Sequence, residues 1–338
     1  MPAAQPPTWS AALRQPAEWY ATNEARELAG QVIRHQLPCG GWAKNTDLFG
    51  PPIAGGRREG TIDNQATTTP LRFLATVASA PDAAQASADH VRAEPRAAFE
   101  RGLDYLFAAQ YPNGGWPQYF PLRADYSAHI TYNDDAMLHV LVLLREVAAG
   151  AEPFAFVDPA RRARAAAAVE RGISCILRTQ VRHEGRLTVW CAQHDAATLA
   201  PAAARAFEPA SLSGAESVGL TRFLMQIPEP GPEIIAAVEG AVAWFDQTKL
   251  DGLRVENFVD ADGLPDRRLV ADPSAPPLWA RFYDLEQHRP LYLGRDGVTR
   301  RDFAGIERER RAGYAYHGTW AATLLERDYP RWRRAHAR

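Results

Sequence analysis

Two acidic clusters carry the residue types best suited to chemistry: Asp63 and Asn64 in TIDNQ, residues 61–65, and Asp134 and Asp135 in YNDDAM, residues 132–137. Carboxylate and carboxamide oxygens on turns are the donors a hard cation such as calcium takes, completed by water or by a ligand's own oxygens. The same residues at helix starts serve the positive end of the helix dipole and the open N–H groups there, which is their commoner role. Two adjacent aspartates behind Asn133 exceed what capping needs. Spacing alone leaves both readings open.

The cations are unevenly chosen. Lysine occurs only at Lys44 and Lys249, every other cation being arginine, so the chain is rich in planar forks able to grip carboxylates. A formal net charge of -2 gives no general attraction for nucleic acid or an anionic membrane surface. No Ser-His-Asp order, HExxH or Gly-rich phosphate loop occurs, and the histidines show no metal-ligand spacing. His194 in CAQHD reads as a hydrogen-bonded structural histidine in preference to a catalyst. Cys39, Cys175 and Cys191 are odd in number and lack a CxxC spacing, which argues against a disulfide framework and a zinc cage. The N-terminus has no basic region followed by an apolar one, and no apolar run reaches membrane-spanning length.

What must position these residues is a repeated helical unit. HQLPCGGWAKN at 35–45 and AQYPNGGWPQY at 109–119 share Gln, Pro and Gly-Gly-Trp, while ERGLDYLFAAQ and ERGISCILRTQ share a helical pattern closing on glutamine. The closing residues Gln36, Gln110, Gln180 and, more weakly, Gln247 recur at nearly even intervals of about 70 residues, long enough for two helices and their loops. Start signals agree with that count. Thr69-Pro70 opens one helix, Asn133 caps the next with an acidic first turn, and Asp158-Pro159 opens a third. Ser213 with Glu216 forms a capping box, and Pro232 starts a further helix. Residues 252–272 read as one hairpin around Asp262-Gly263, and 273–305 as a long ordered excursion. The expected fold is all-α, an α/α toroid of repeated helix pairs with a small hairpin, in one domain over 1–338. The Gly-Gly-Trp turn repeats because the helix junction does; Trp42 and Trp116 are read mainly as junction packing, with sugar stacking as the other role.

Gln with Gly-Gly-Trp at helix ends resembles terpenoid-cyclase and prenyltransferase toroids, but YNDDAM holds only a fragment of their acidic clusters. A more specific resemblance runs through GGWAKNTDLF, TIDNQATTTPLRFL, YPNGGWPQYFPLR, HITYNDDAM, LTVWCAQHD, ARAFEPASLSGAESVGLTRFLM and PPLWARFYDLEQHRPLYLGRDGV. Together, in this order from Gly40 to Val298, they resemble the polysaccharide lyase family 10 pectate lyases. The Ala-rich stretch 78–96 reads as an insertion longer than the family carries there.

That resemblance implies a monomeric, secreted or periplasmic enzyme that cuts polygalacturonate by β-elimination, with pectin as its anionic partner and no nucleic acid or membrane partner. It implies calcium at Asp63, Asn64, Asp134 and Asp135. It also implies arginine in place of histidine as base: Arg295 as proton abstractor, with Arg281 and Arg205 gripping substrate carboxylates. Lys44 and Trp116 are further substrate-binding candidates. A free guanidinium titrates above pH 12, so an arginine base demands neighbours that disfavour its charge, and it implies an alkaline optimum. A non-catalytic pectin-binding module is the remaining alternative; it would not need Arg295.

Overall fold

The structure, a computed structural model, describes residues 8–52, 58–81 and 88–336. In chain order its helices are α1 (Trp9–Ala12), α2 (Asn23–Arg34), α3 (Thr68–Ser79), α4 (Ala88–Ala109), α5 (Ala136–Ala149), α6 (Pro159–Thr179), α7 (Glu216–Met225), α8 (Pro232–Thr248), α9 (Arg308–Gly313) and α10 (Tyr329–His336). The chain folds as two compact units, Met1–Ala128 with His139–Gly172 and His129–Leu138 with Ile173–Arg338. Part of the expected insertion, residues 82–87, lies outside the described residues, as do residues 1–7 at the N-terminus; residues 88–96 form the first turns of α4.

In the first unit α2, α3 and α4 pack on one another. The Thr22 hydroxyl accepts from Ala25 N and starts α2, which buries Ala25, Leu28, Ala29 and Val32 on one stripe. Its end shows what the repeated glutamine does. Gln36 Nε2 donates to Gly40 O in the turn and to Ala98 O in α4, both at 2.8 Å. Gln110 repeats the arrangement with Gly114 O at 3.0 Å and Ala168 O at 2.9 Å. One amide thus ties the carbonyl of the turn to a carbonyl inside a later helix. The first glycine of each Gly-Gly-Trp turn has φ +95°, and a Cβ there would lie 2.3 Å from Arg101 O at Gly40 and 2.0 Å from Arg171 O at Gly114. No other residue fits. Trp42 and Trp116 are fully buried, and their indole N–H groups donate to Val32 O and Leu106 O.

In the second unit Gln180 bonds Thr188 O and Ala237 O in the same manner, and the buried Trp190 donates to Ile176 O. The fourth repeat departs from expectation: Gln247 is exposed, and the buried residue closing α8 is Thr248, whose hydroxyl donates to Trp244 O. Trp279 completes that junction by donating to Phe245 O. The α7 helix packs on α8, which starts at Pro232 as expected. The hairpin is present as Leu253–Val259 against Pro265–Ala271, with Gly263 at φ 78° in its turn.

Short strand pairs add to that hairpin. Gly60–Thr61 pairs with Tyr119–Phe120, Ile130–Thr131 with Gln193–His194, and Leu212–Ser213 with Phe282–Tyr283, all antiparallel. Each joins the segment just after a buried tryptophan to the turn just before a helix. Two helix starts also move. The α3 helix begins at Thr68 behind Thr67, one residue before the expected Thr69 cap, and α5 begins at Ala136, three residues past Asn133.

Candidate active site

The acidic clusters stand on two copies of one turn. After the paired strand the chain makes a single 3₁₀ turn, at Asp63–Gln65 and again at Asn133–Asp135, before the α-helix. Asn64 and Gln65 have φ of 49° and 57°, Asp134 and Asp135 of 49° and 58°. Two consecutive non-glycine residues in the left-handed region are strained, by about 1–3 kcal/mol each, and such strain persists where the surrounding structure holds it for a task. Asn133 is therefore no helix cap; its side-chain Nδ2 donates to Asp134 Oδ2 at 2.7 Å. The third copy, Ser213–Ser217, is two residues shorter. It runs straight into α7, where Ser213 Oγ accepts from Glu216 N at 3.1 Å.

In the first unit Asp63 is buried, and one of its oxygens is already shared. Lys44 Nζ forms a short ion pair with Asp63 Oδ2, and Gln118 Nε2 donates to the same atom at 2.7 Å. Burial pulls the Lys44 ammonium down, but its bond to Asp63 outweighs this and its pKa is raised. Lys44 also lines two cavities, one of about 450 Å³ with Arg34, His35 and Arg58, and one of about 210 Å³ with Asn64, Gln65 and Thr69. Asn64 thus fronts open space, whereas Asp63 is already bonded.

In the second unit the three expected arginines fall in one connected cluster. Arg281, nearly buried, donates through Nη2 to Asp134 Oδ1 at 2.8 Å and to Glu216 Oε1. Burial alone would lower its pKa, yet Glu216, Tyr314 and Asp134 hold it well above the usual arginine range. Its guanidinium lies 5.1 Å from the Tyr314 ring centre. The Tyr314 hydroxyl donates to Glu208 Oε1 at 3.0 Å, and Glu208, itself buried, is gripped by Arg205 through Nε at 2.7 Å and Nη2. Arg205, Arg295 and Arg310 all stack around Phe207, at 4.7, 5.9 and 3.9 Å from its centre. Arg295 is tied by Nε at 3.0 Å and Nη2 at 2.9 Å to Glu309. That bond raises its pKa, with Arg205 pulling the other way. The depressed pKa an arginine base requires is therefore absent while Glu309 is in place; both partners are more than half exposed, at 62% and 54%, so the pair is weakly held.

Asp135 is the opposite case. Burial, then Glu216 and Asp134, raise its carboxyl to about 6 against the relief given by Arg281. A Cβ at Gly219 would meet Asp135 Oδ1 at 2.5 Å, so that glycine of α7 makes room for the carboxylate. Three carboxylates, Asp134, Asp135 and Glu216, thus face one guanidinium. This excess of negative charge suits a cation, although among the described residues no three His, Cys, Asp or Glu side chains are gathered in metal-binding array.

Trp116 is corrected as a substrate platform: with no exposed surface it has no face for a sugar ring. His194 is buried and neutral, its pKa lowered to about 4 by burial; Nε2 accepts from Cys191 N at 3.1 Å and Nδ1 meets Leu199 O at 2.9 Å. Sequence reasoning missed Glu216, taken for a capping residue only, along with Glu208, Phe207, Tyr314, Arg310 and Gln118. Two signals mark part of this set. Lys44, Gln118 and Arg281 each lie two residues after a buried tryptophan. Asp195 and Asp284 each precede a proline by six residues, and both loops bridge back on themselves, His194 to Pro201 and Tyr283 to Pro290. Arg205 and Arg295 follow those two matching loops.

Helix pairs closed by glutamine and Gly-Gly-Trp turns, with guanidinium and carboxylate groups on the turns, define an α/α enzyme scaffold. Residues 36–325 match the family model for pectic acid lyase. The fold is similar to that of a family 10 polysaccharide lyase from Cellvibrio cellulosa, with 35% identity, TM-score 0.77, and coverage of 94% of this chain and 95% of that one. It is equally similar, at 34% identity and TM-score 0.77 over 97% and 99% of the two chains, to an aspartate-to-alanine mutant of a family 10 polysaccharide lyase from Cellvibrio cellulosa in complex with trigalacturonic acid. No curated protein matches the chain in sequence. The chain belongs to the pectic acid lyase family and is a polysaccharide lyase, with the all-α toroid fold class expected from its repeats. The terpenoid-cyclase and binding-module alternatives fall with that finding.

Proposed function

We propose that this enzyme cleaves polygalacturonate by β-elimination, leaving a 4,5-unsaturated end, with arginine as base and calcium as the assisting cation. The observation that carries the reading is the gathering of Arg205, Arg281 and Arg295 around Tyr314 and Phe207 beside an acidic turn, in a chain similar to a lyase solved with trigalacturonic acid. Uronate carboxylates are what such forks grip.

In the proposed reaction the C5 proton passes to a neutral guanidine nitrogen, the C–H electron pair becomes the C4=C5 double bond, and the C4–O bond breaks with the glycosidic oxygen taking up a proton from water. Calcium, when bound, neutralises the substrate carboxylate and makes the C5 hydrogen more acidic. Asp134 and Asp135, with Glu216 near them, are the residues that would hold it. Asp63 already serves Lys44 and Gln118 and is the weaker ligand, with Asn64 beside it. Arg281, fixed by two carboxylates, is suited to clamping substrate. Arg295 remains the proposed base because its ion pair with Glu309 is exposed and weakly held. A polymer of this size is met outside the cell, and this supports the proposed secreted or periplasmic location.

Cleavage in oxygen-labelled water tests the reaction class. Elimination leaves both new ends unlabelled and one of them unsaturated, whereas hydrolysis places the label at the new reducing end. Labelled, saturated products would overturn the proposal.

A further inference from the structure

The position two residues after Trp116, Trp190 and Trp279 has one structural role. Gln118 accepts Ile62 N at its carbonyl, Ala192 accepts Tyr132 N, and Arg281 accepts Gly214 N, so the three stand in the same register of the same strand pairing. Side chains in one register leave the strand on the same side. From that side Gln118 donates to Asp63, and Arg281 donates to Glu216. Ala192 alone brings only a methyl group.

Its surroundings show what the methyl permits. The segment Trp190–Ala192 is bonded to both acidic turns of its unit: Trp190 O accepts Ser213 N at 2.7 Å, and Ala192 O accepts Tyr132 N at 2.8 Å and Asn133 N at 3.0 Å. One nitrogen of Arg281 spans the two turns above this segment, reaching Glu216 in one and Asp134 in the other. A polar side chain of glutamine length at 192, leaving the strand as Gln118 does, would reach Asn133, the counterpart of Asp63, whose amide bonds the Asp134 carboxylate that Arg281 grips.

Resting on the lyase reading above, we propose that Ala192 is a specificity-determining residue: its short side chain keeps the Asn133–Asp135 turn open to Arg281 and to the carboxylate-bearing sugar, through the bound cation where one is present. The turn at Asp63, closed by Lys44 and Gln118, is the filled counterpart. The proposal concerns binding of the uronate, so its signature is a change in KM and in sugar affinity in the absence of any change in fold.

The test is a length series, Ala192→Ser, Ala192→Asn and Ala192→Gln, in the full chain. Three readouts apply: kcat and KM on polygalacturonate, calorimetric binding of trigalacturonate and of calcium, and melting temperature. Weakening should grow with side-chain length. Ala192→Ser is expected to stay close to the parent, and Ala192→Gln to raise KM and weaken trigalacturonate binding by about tenfold or more, the scale of one charge-assisted hydrogen bond. Ala192 is only 5% exposed, so longer polar side chains should also lower the melting temperature; affinity is therefore compared at a temperature where each variant is folded, and Ala192→Ser with Ala192→Asn keep the series decisive even if Ala192→Gln folds poorly. Unchanged KM and sugar affinity in folded Ala192→Asn and Ala192→Gln would overturn the proposal, as would a loss that disappears when the variants are compared fully folded. A parent protein that makes no unsaturated product but binds trigalacturonate, with binding weakened along the series, would leave this inference standing while removing the lyase chemistry.

Discussion

At the residue scale the three arginines differ in what holds them, and that difference sorts their roles. Arg281 is locked between Asp134 and Glu216, Arg205 is bound to the buried Glu208, and the ion pair of Arg295 is with the exposed Glu309. If Arg295 removes the C5 proton, Arg295→Lys keeps a cation but loses the planar fork, and kcat should fall by at least ~10²-fold with little change in affinity. Arg281→Lys should instead raise KM more than it lowers kcat, since uniform binding is what a clamp supplies. Steady-state kinetics on polygalacturonate decides between them. An Arg295→Lys enzyme with near-parent kcat and only a higher KM would move Arg295 to the clamp, and the base would be sought at Arg205. Glu309→Gln offers an independent check: releasing Arg295 from its carboxylate should lower the guanidinium's pKa and move the rising limb of the pH–rate profile to lower pH.

At the element scale the tryptophan turns are architecture. Trp116 is fully buried and bonded to Leu106 O, so Trp116→Ala should cost roughly 3–5 kcal/mol in a denaturation measurement, as other large aromatic truncations do. Binding of trigalacturonate by the fraction still folded should be unaffected. Gln110→Ala removes both bonds, to Gly114 O in the turn and to Ala168 O within α6, and should cost about 1–3 kcal/mol. A comparable change at the exposed Gln247 should cost almost nothing. These contrasts show how far the sequence could be read. Gln36, Gln110 and Gln180 were legible as helix ends because a side chain that bonds two carbonyls constrains residue type and spacing together. Asp158 and Pro232 were legible because cap chemistry is local. The left-handed pairs at 64–65 and 134–135 were not, since Asn and Asp mark helix caps and ordinary turns as readily as positive φ, and Asn133 reads as a cap on the same grounds. Nor was Glu216 separable from its capping role, because its link to Arg281 spans 65 residues and exists only once the strands pair. Arg205, Arg281 and Arg295 were found by family resemblance; the matching Asp-to-Pro loops that present two of them were there to be seen.

At the scale of the whole molecule, two neutral histidines, His194 buried and His317 part-buried, tie stability to pH. His194 and His317 both titrate at about 4 in the folded chain, pushed down by burial from the ordinary 6.5. Between those values the unfolded chain binds the protons that the folded chain refuses, so stability is complete above about 6.5 and is lost as pH falls toward 4. The shift at His194 corresponds to roughly 3 kcal/mol. Melting temperature should therefore decline across this window, and His194→Gln, less stable at neutral pH, should show a shallower decline; an equal slope would assign the loss to other groups. The central claim, that these residues make a calcium-assisted lyase for polygalacturonate, is tested most directly by one assay: ultraviolet absorbance of the unsaturated product formed by the purified enzyme, before and after a calcium chelator is added, with melting temperature followed in parallel. The account predicts that absorbance rises steadily with calcium present and stops rising on chelation while the melting temperature holds. Continued product formation in chelator would contradict the calcium assignment, and no absorbance rise under any condition would contradict the lyase itself.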